Sequence, residues 1–218
     1  MFKFDIEEQL LVYEKVFPFL FVILSFSLIA QEDTYQSRIV KKQRRIADAT
    51  TTIRLNPSDA QAHVNRAIAY AELRMYESAI ADYTTAIRLG ADWADIYYRR
   101  GTARSFFGEY NSAVSDFTTA IILNSDAAVM EENDVYVRNL TWIKASILSA
   151  RGNAYTDLGE YNAAIADFTT AIRLNPYDTK SSLHNRGRAK EKAGLPYCSD
   201  YKRACELGKC DLYNRKCR

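Results

Sequence analysis

Glycine and proline are scarce in this chain, 8 and 4 of 218 residues, which excludes collagen-like and low-complexity architectures and leaves little to interrupt a helix. Histidine is scarcer still, with only His63 and His184. No Ser or Cys stands at a spacing that would make either histidine half of a nucleophile pair. A Gly-rich phosphate loop and a His-Glu-x-x-His motif are both missing, so no catalytic residue, metal ligand or cofactor is assigned. An excess of either charge is also lacking: 29 basic residues against 27 acidic ones give a formal charge of +2. Capture of a nucleic acid backbone needs a strongly basic face, so nucleic acid is not an expected partner. The one dense basic run, Lys41, Lys42, Arg44 and Arg45, lies in a helical stretch and reads as a solvated face.

Long apolar runs are limited to one. Val16 to Ala30 is free of charge and is followed at once by Gln31, Glu32 and Asp33. It is too short for a comfortable membrane span and fits the apolar region of a secretory signal peptide, with Ala30 as a small residue at the cleavage point. An uncleaved anchor is the alternative, and it is the one route by which the chain would meet a membrane.

Cysteine does not occur before Cys198, and all four, Cys198, Cys205, Cys210 and Cys217, crowd the C-terminus. Two lie on each side of a bend expected near Leu207, Gly208 and Lys209. Their numbers pair symmetrically about that bend, as in an antiparallel helical hairpin. The spacing therefore predicts nested disulfides Cys198 to Cys217 and Cys205 to Cys210, one of three connectivities. A zinc site is the rival, although the close Cys-x-x-Cys pairs usual in such sites do not occur.

The strongest signal is internal. The segment Tyr76-Glu-Ser-Ala-Ile-Ala-Asp-Tyr-Thr-Thr-Ala-Ile recurs, with small changes, from Tyr110 and from Tyr161. Asp48, Asp82 and Asp116 follow one another at 34 residues, and Asp167 follows after 51, which is one period plus an insertion of 17. A period of that length indicates a helix-turn-helix repeat. Within each unit, small and aromatic residues hold fixed places: Ala67, Tyr70, Ala79, Tyr83 and Ala86; then Gly101, Ala113, Phe117 and Ala120; then Gly152, Tyr155, Ala164, Phe168 and Ala171, with Pro176 after them.

In these positions the chain resembles the tetratricopeptide repeat family. The resemblance implies an all-α fold, a right-handed α-solenoid of paired helices in which small residues allow close helix approach and the aromatic fills the space between pairs. The expected organisation is a signal or anchor at 1–30, a partial repeat at 31–59, and repeats at 60–93 and 94–127. An insertion at 128–144 extends the next helix from a cap at Asn133, and repeats follow at 145–178 and 179–209. A disulfide-stapled cap at 210–218 ends the chain. Similar cysteine-stapled ends occur in exported bacterial repeat proteins, which points to a periplasmic or secreted protein.

One regularity departs from the family pattern. An arginine stands just before the glycine position in every unit, Arg66, Arg100, Arg151 and Arg186, where leucine is usual. An aspartate recurs as faithfully before the second-helix aromatic: Asp82, Asp116, Asp167 and Asp200. These predict a ladder of Arg–Asp ion pairs, within each unit or between units. A row of arginines facing an anionic ligand is the alternative.

In the family, the concave face lined by first helices receives peptides or partner helices. The corresponding positions are Val64, Ile68 and Glu72; Tyr98, Thr102 and Phe106; Ser149, Asn153 and Asp157; His184, Arg188 and Lys192. An apolar anchor pocket is expected near Val64, Ile68, Tyr98 and Phe106, with polar residues behind it. The subtype that clamps acidic chaperone tails wants Lys and Asn where Val64 and Ile68 stand, so that activity is not implied. The expected function is a non-enzymatic scaffold binding a protein or peptide, with self-association open. A membrane-anchored assembly factor is one alternative. A carbohydrate-binding or enzyme-accessory role is another, and it would require Tyr98, Phe106 and Trp142 to share a platform.

Overall fold

The computed structural model describes residues 36–129, 134–175 and 179–217, with 125–129 and 134–139 described by backbone alone. The segment 1–30, the cap expected at Asn133 and the helix stop at Pro176 lie outside the described residues. The described chain is helical: α1 (36–55), α2 (Ala60–Glu72), α3 (Tyr76–Arg88), α4 (Ala94–Phe107), α5 (Tyr110–Val129), α6 (Asp134–Leu158), α7 (Tyr161–Leu174), α8 (Lys180–Lys192), α9 (Cys198–Glu206) and α10 (Asp211–Lys216). From α2 onward each helix packs on its chain neighbours, and the further contacts are α2 with α4, α4 with α6 and α6 with α8. The first helices of successive pairs therefore touch one another while the second helices do not. An α-solenoid with an inner face made of α2, α4, α6 and α8 is the result.

Local chemistry sets the helix boundaries. After Asn56-Pro57, Asp59 caps α2 by accepting from the Ala62 amide at 2.9 Å, which satisfies one of the orphan donors of the first turn. The turn out of α4 places Gly108 at φ 93°, and Gly159 takes φ 83° in the same place after α6. In the first unit the equivalent residue is Arg74, at φ 60°. A side chain in this left-handed region costs roughly 1–2 kcal/mol, partly balanced by the chain entropy that glycine adds to the unfolded state. Arg74→Gly is therefore expected to raise the unfolding free energy by about 0.5 kcal/mol in urea titration.

The core is built from alanines and one aromatic per unit. Tyr83, Phe117, Phe168 and Tyr201 are almost wholly buried, beside Ala79 and Ala86, Ala113 and Ala120, Ala164 and Ala171, and Ala204. Facing the last three rings are Gly101, Gly152 and Gly187, where an added Cβ would stand 2.9, 3.0 and 2.6 Å from the nearest ring carbon. These glycines serve close helix approach, since they lie inside helices, where propensity alone disfavours them.

The insertion extends α6 back to Asp134 and reaches into α5 as well. It lengthens two helices: α5 runs 20 residues and α6 runs 25, against 13 for α3 and 14 for α7. No Pro or Gly follows Asn124 to stop α5, as Gly90 does for α3, so α5 continues through Ser125 to Val129 before α6 begins. Buried Asn124 ties the two extensions together by donating to the Leu140 carbonyl at 3.0 Å.

At the C-terminus the sulfurs of Cys198 and Cys217 are bonded, with Cα atoms 5.6 Å apart, and those of Cys205 and Cys210 likewise, with Cα atoms 4.0 Å apart. The chain reverses at Gly208, φ 94°, so α10 folds back along α9. Glu191 of α8 receives the Tyr201 hydroxyl at 2.8 Å and pairs with Lys216 of α10. None of the α10 side chains is buried, so this short helix is held by the disulfides and polar contacts.

Candidate functional site

Two constellations stand out, of which the repeat builds the first. The first is the arginine ladder. Arg66 Nε and Nη2 donate to Asp82 at 2.7 and 2.8 Å, and Arg100 meets Asp116 at 2.9 and 2.7 Å. Arg151 meets Asp167 at 2.7 and 2.8 Å, and Arg186 meets Asp200 at 3.0 and 2.7 Å. Each pair is bidentate and joins the two helices of one unit. The remaining nitrogen, Nη1, reaches back to the preceding unit: Thr50 at 3.2 Å, Thr84 at 3.2 Å, Thr118 at 2.9 Å and Thr169 at 3.1 Å. The hydroxyls of Thr84, Thr118 and Thr169 donate to the carbonyls of Ile80, Val114 and Ile165, which leaves their lone pairs to the guanidinium. One arginine thus fixes both the closure of its own unit and its register on the last one.

The aspartates gather further partners. His63 Nδ1 lies 3.2 Å from Asp82, Arg104 donates to Asp116 at 2.8 Å, and Lys190 stands 2.8 Å from Asp200. Where the residue four after the ladder arginine is aromatic, as at Tyr70 and Tyr155, the guanidinium lies over that ring, at 5.9 and 5.8 Å. Burial would raise the Asp200 pKa, but its bonds to Arg186 and Lys190 outweigh burial and hold it below the usual carboxylate range. His184 is pushed down by burial and by the nearby charge of Lys209. Both shifts are depressions, so the stability each supplies is complete above its unfolded pKa and lost as pH falls through the folded value. Urea titrations are expected to show weakening that starts below about pH 6.5 and deepens below about pH 4. His184→Asn should flatten the first limb and Asp200→Asn the second.

The second constellation is an apolar cleft of about 580 Å³ on the inner face. Trp93, Ala94 and Tyr98, at the start of α4, form one wall; Leu140, Ile143, Ser146 and Ile147 of α6 form the other, with Leu123 and Asn124 of α5 between them. The insertion supplies part of this site, because the α6 wall begins inside it. Among the described residues, Asp92 and Asp95 are the only charged ones lining the cleft. Arg99 already donates to Asp95 at 2.6 Å. Through Tyr98 and Ser146 the cleft continues into a second cavity of about 270 Å³, whose polar residues are Ser146, Ser149, Asn153, Asn175, Ser181 and Ser182. Among the described residues no group of three or more His, Cys, Asp or Glu could hold a metal ion.

Sequence profiles of the tetratricopeptide repeat match residues 42–96 and 145–178. Over these two segments the chain carries tetratricopeptide repeats. No curated protein sequence matches it. Among solved structures, MamA superposes with a TM-score of 0.65 at 19% identity, covering 84% of this chain and 90% of that one. YrrB, described as a TPR protein with an unusual peptide-binding site, also gives 0.65, at 17% identity over 83% and 85%. The first TPR of Spaghetti bound to an HSP90 peptide gives 0.51, at 18% identity over 62% and 93%. At these identities the likeness is one of fold.

Seen against the repeats, the anchor pocket expected near Val64, Ile68, Tyr98 and Phe106 needs correction. Val64 is only 4% exposed and belongs to the core between α2, α3 and α4, with Ile68 packed against it. Alanines on the neighbouring helices, Ala79, Ala86 and Ala103, let these chains sink inward. Phe106 is 67% exposed at the far end of α4 and stacks on Tyr76, with centroids 5.2 Å apart. It lies about 12 Å along the helix from Tyr98, so the aromatic platform imagined for Tyr98, Phe106 and Trp142 is not assembled. His184 is another correction: it is buried against Tyr201, ring centroids 5.8 Å apart, with Nδ1 3.8 Å from Asp211 of the cap. Thr102 is half-buried and returns its hydroxyl to the Tyr98 carbonyl at 2.8 Å. Asn153 does face the inner surface, where it accepts from Asn185 at 2.9 Å.

Sequence reasoning missed two groups. The ladder threonines carry a legible signal, two residues after each aspartate from Asp48 to Asp167. Leu140, Ile143 and Ile147 show a helical spacing that marks an apolar stripe but not a cleft, and Trp93 carries no signal, because a cleft between an inserted helix and a neighbouring helix start has no period.

Proposed function

We propose that this protein is a non-catalytic interaction scaffold whose inner face receives a peptide segment or a partner subunit. The observation that carries this reading is the apolar cleft between α4 and α6. Trp93 and Ile143 stay 45% and 47% exposed there, although burying such side chains fully would contribute on the order of 1.5–3 kcal/mol each. Large apolar groups converging on a concavity with a few polar neighbours suit an anchor residue of a bound chain. The relatives add support of a coarser kind, YrrB through its described peptide-binding site and Spaghetti through its bound HSP90 peptide.

The test is selection of a phage-displayed peptide library on the folded protein. Peptides so obtained should lose at least about tenfold in affinity toward Tyr98→Ala and Ile143→Asp, as expected of contacts at an anchor. Equal binding to both variants would sink the reading.

The protein is further placed, as part of this proposal, in an oxidising compartment, the periplasm or the exterior, reached through the apolar segment Val16 to Ala30. Pairing of all four cysteines favours this. Mass spectrometry of the native protein should find a mature N-terminus near Gln31 and two disulfides. An intact N-terminus with four free thiols would contradict it.

A further inference from the structure

The cleft differs from the rest of the inner face in its charge. Asp92 is exposed at its edge, and among the described residues no lysine, arginine or histidine lines the cleft or the cavity that continues from it. Asp95 already faces Arg99, so Asp92 is the acid with charge to offer. Asp92 meets a neutral partner: Tyr97 hydrogen-bonds to it, and the Tyr97 pKa is raised, by burial first and by this bond second. The phenol keeps its proton, so no positive charge stands against Asp92 from this side. Beyond the apolar walls the groove turns neutral and polar. Ser149 and Ser182 share a hydrogen bond of 2.9 Å, and Asn153 and Asn185 another of 2.9 Å, so hydroxyls and amides bridge α6 and α8 without a charge.

We infer that the groove, if it binds peptides as proposed above, selects a segment in which a large apolar side chain has a lysine or arginine beside it and small polar residues after it, and that it rejects acidic segments. The anchor enters between Trp93 and Ile143. The base meets Asp92. The peptide main chain crosses the row of serines and asparagines, whose groups can donate to it or accept from it. An acidic neighbour would instead face Asp92 and Asp95 with no cation among the described lining residues to receive it, and such like-charge juxtaposition is how interfaces exclude wrong partners.

Three fluorescein-labelled synthetic peptides test this by fluorescence polarisation on the full chain at low salt. They are identical except that the residue beside a central tryptophan is lysine, glutamine or glutamate, and serine and asparagine follow the anchor. The lysine peptide should bind about tenfold more tightly than the glutamate peptide, the ratio shrinking as salt screens the pair. In Asp92→Asn the ratio should fall to about twofold, while Ile143→Asp, checked for folding by circular dichroism, should weaken all three peptides. Equal binding of the three peptides that is still lost in Ile143→Asp would overturn the charge selection and leave the groove standing. Binding by none of them, or binding insensitive to Ile143→Asp, would overturn both.

Discussion

Asp116→Ala is expected to lower the unfolding free energy by roughly 3–5 kcal/mol, the cost of removing one partner from a buried ion pair. The Asp116 side chain is 4% exposed and takes three bonds, two from Arg100 and one from Arg104. Without it the Arg100 guanidinium, largely buried, loses its carboxylate, and Arg104 is left with the looser pair that its Nε makes with Glu109 at 3.5 Å. The loss should appear as a lower urea midpoint. Breaking a pair and replacing it are different experiments, because much of the penalty belongs to the charges left behind. Asp116→Leu combined with Arg100→Met and Arg104→Met should recover most of the stability. If the single variant cost no more than an exposed ion pair, under about 1 kcal/mol, the ladder would be ornamental. What such a triple variant should lose is register, since Arg100 also holds Thr84 of the preceding unit.

Phe168→Ala is expected to cost about 3–5 kcal/mol, the usual result of emptying a fully buried aromatic site. The ring is wholly buried and lies against Gly152, where a Cβ would approach its carbons to 3.0 Å. Gly152→Ala alone should cost about 1 kcal/mol, since overpacking exceeds the gain in helix propensity. In the Phe168→Ala background the same change should become neutral or stabilising, because the obstructing ring is gone and only the propensity gain remains. A double-mutant cycle measures this coupling. Strict additivity would mean that ring and glycine do not define the approach of α6 to α7. The first unit shows that the approach can be tuned: Ala67 replaces the glycine there and is still fully buried.

Much of this was legible from residues alone, for reasons that differ by feature. The repeat was visible because each helix pair must bury the same stripe against the next, so small and aromatic residues return at a fixed period. The arginines and aspartates shared that period, and a pair required in every unit leaves its mark in every unit. The cysteines could be paired on paper because a helical hairpin constrains which positions meet. Val64 shows where pattern fails. Its place in the repeat put it on the inner face, yet side-chain volumes on α3 and α4 drew it into the core. His184 failed likewise, because the cap that buries it is not part of the repeat.

The sequence by itself determined the helix pairs, their order, the ladder residues and the stapled end, since each depends on contacts that recur or lie close along the chain. The tertiary structure alone decided where the inner face opens. The cleft forms where α6, lengthened by an insertion that occurs once, meets the start of α4 some fifty residues earlier. A contact made once between distant segments leaves no period to read, and only packing in three dimensions brings Trp93 opposite Ile143.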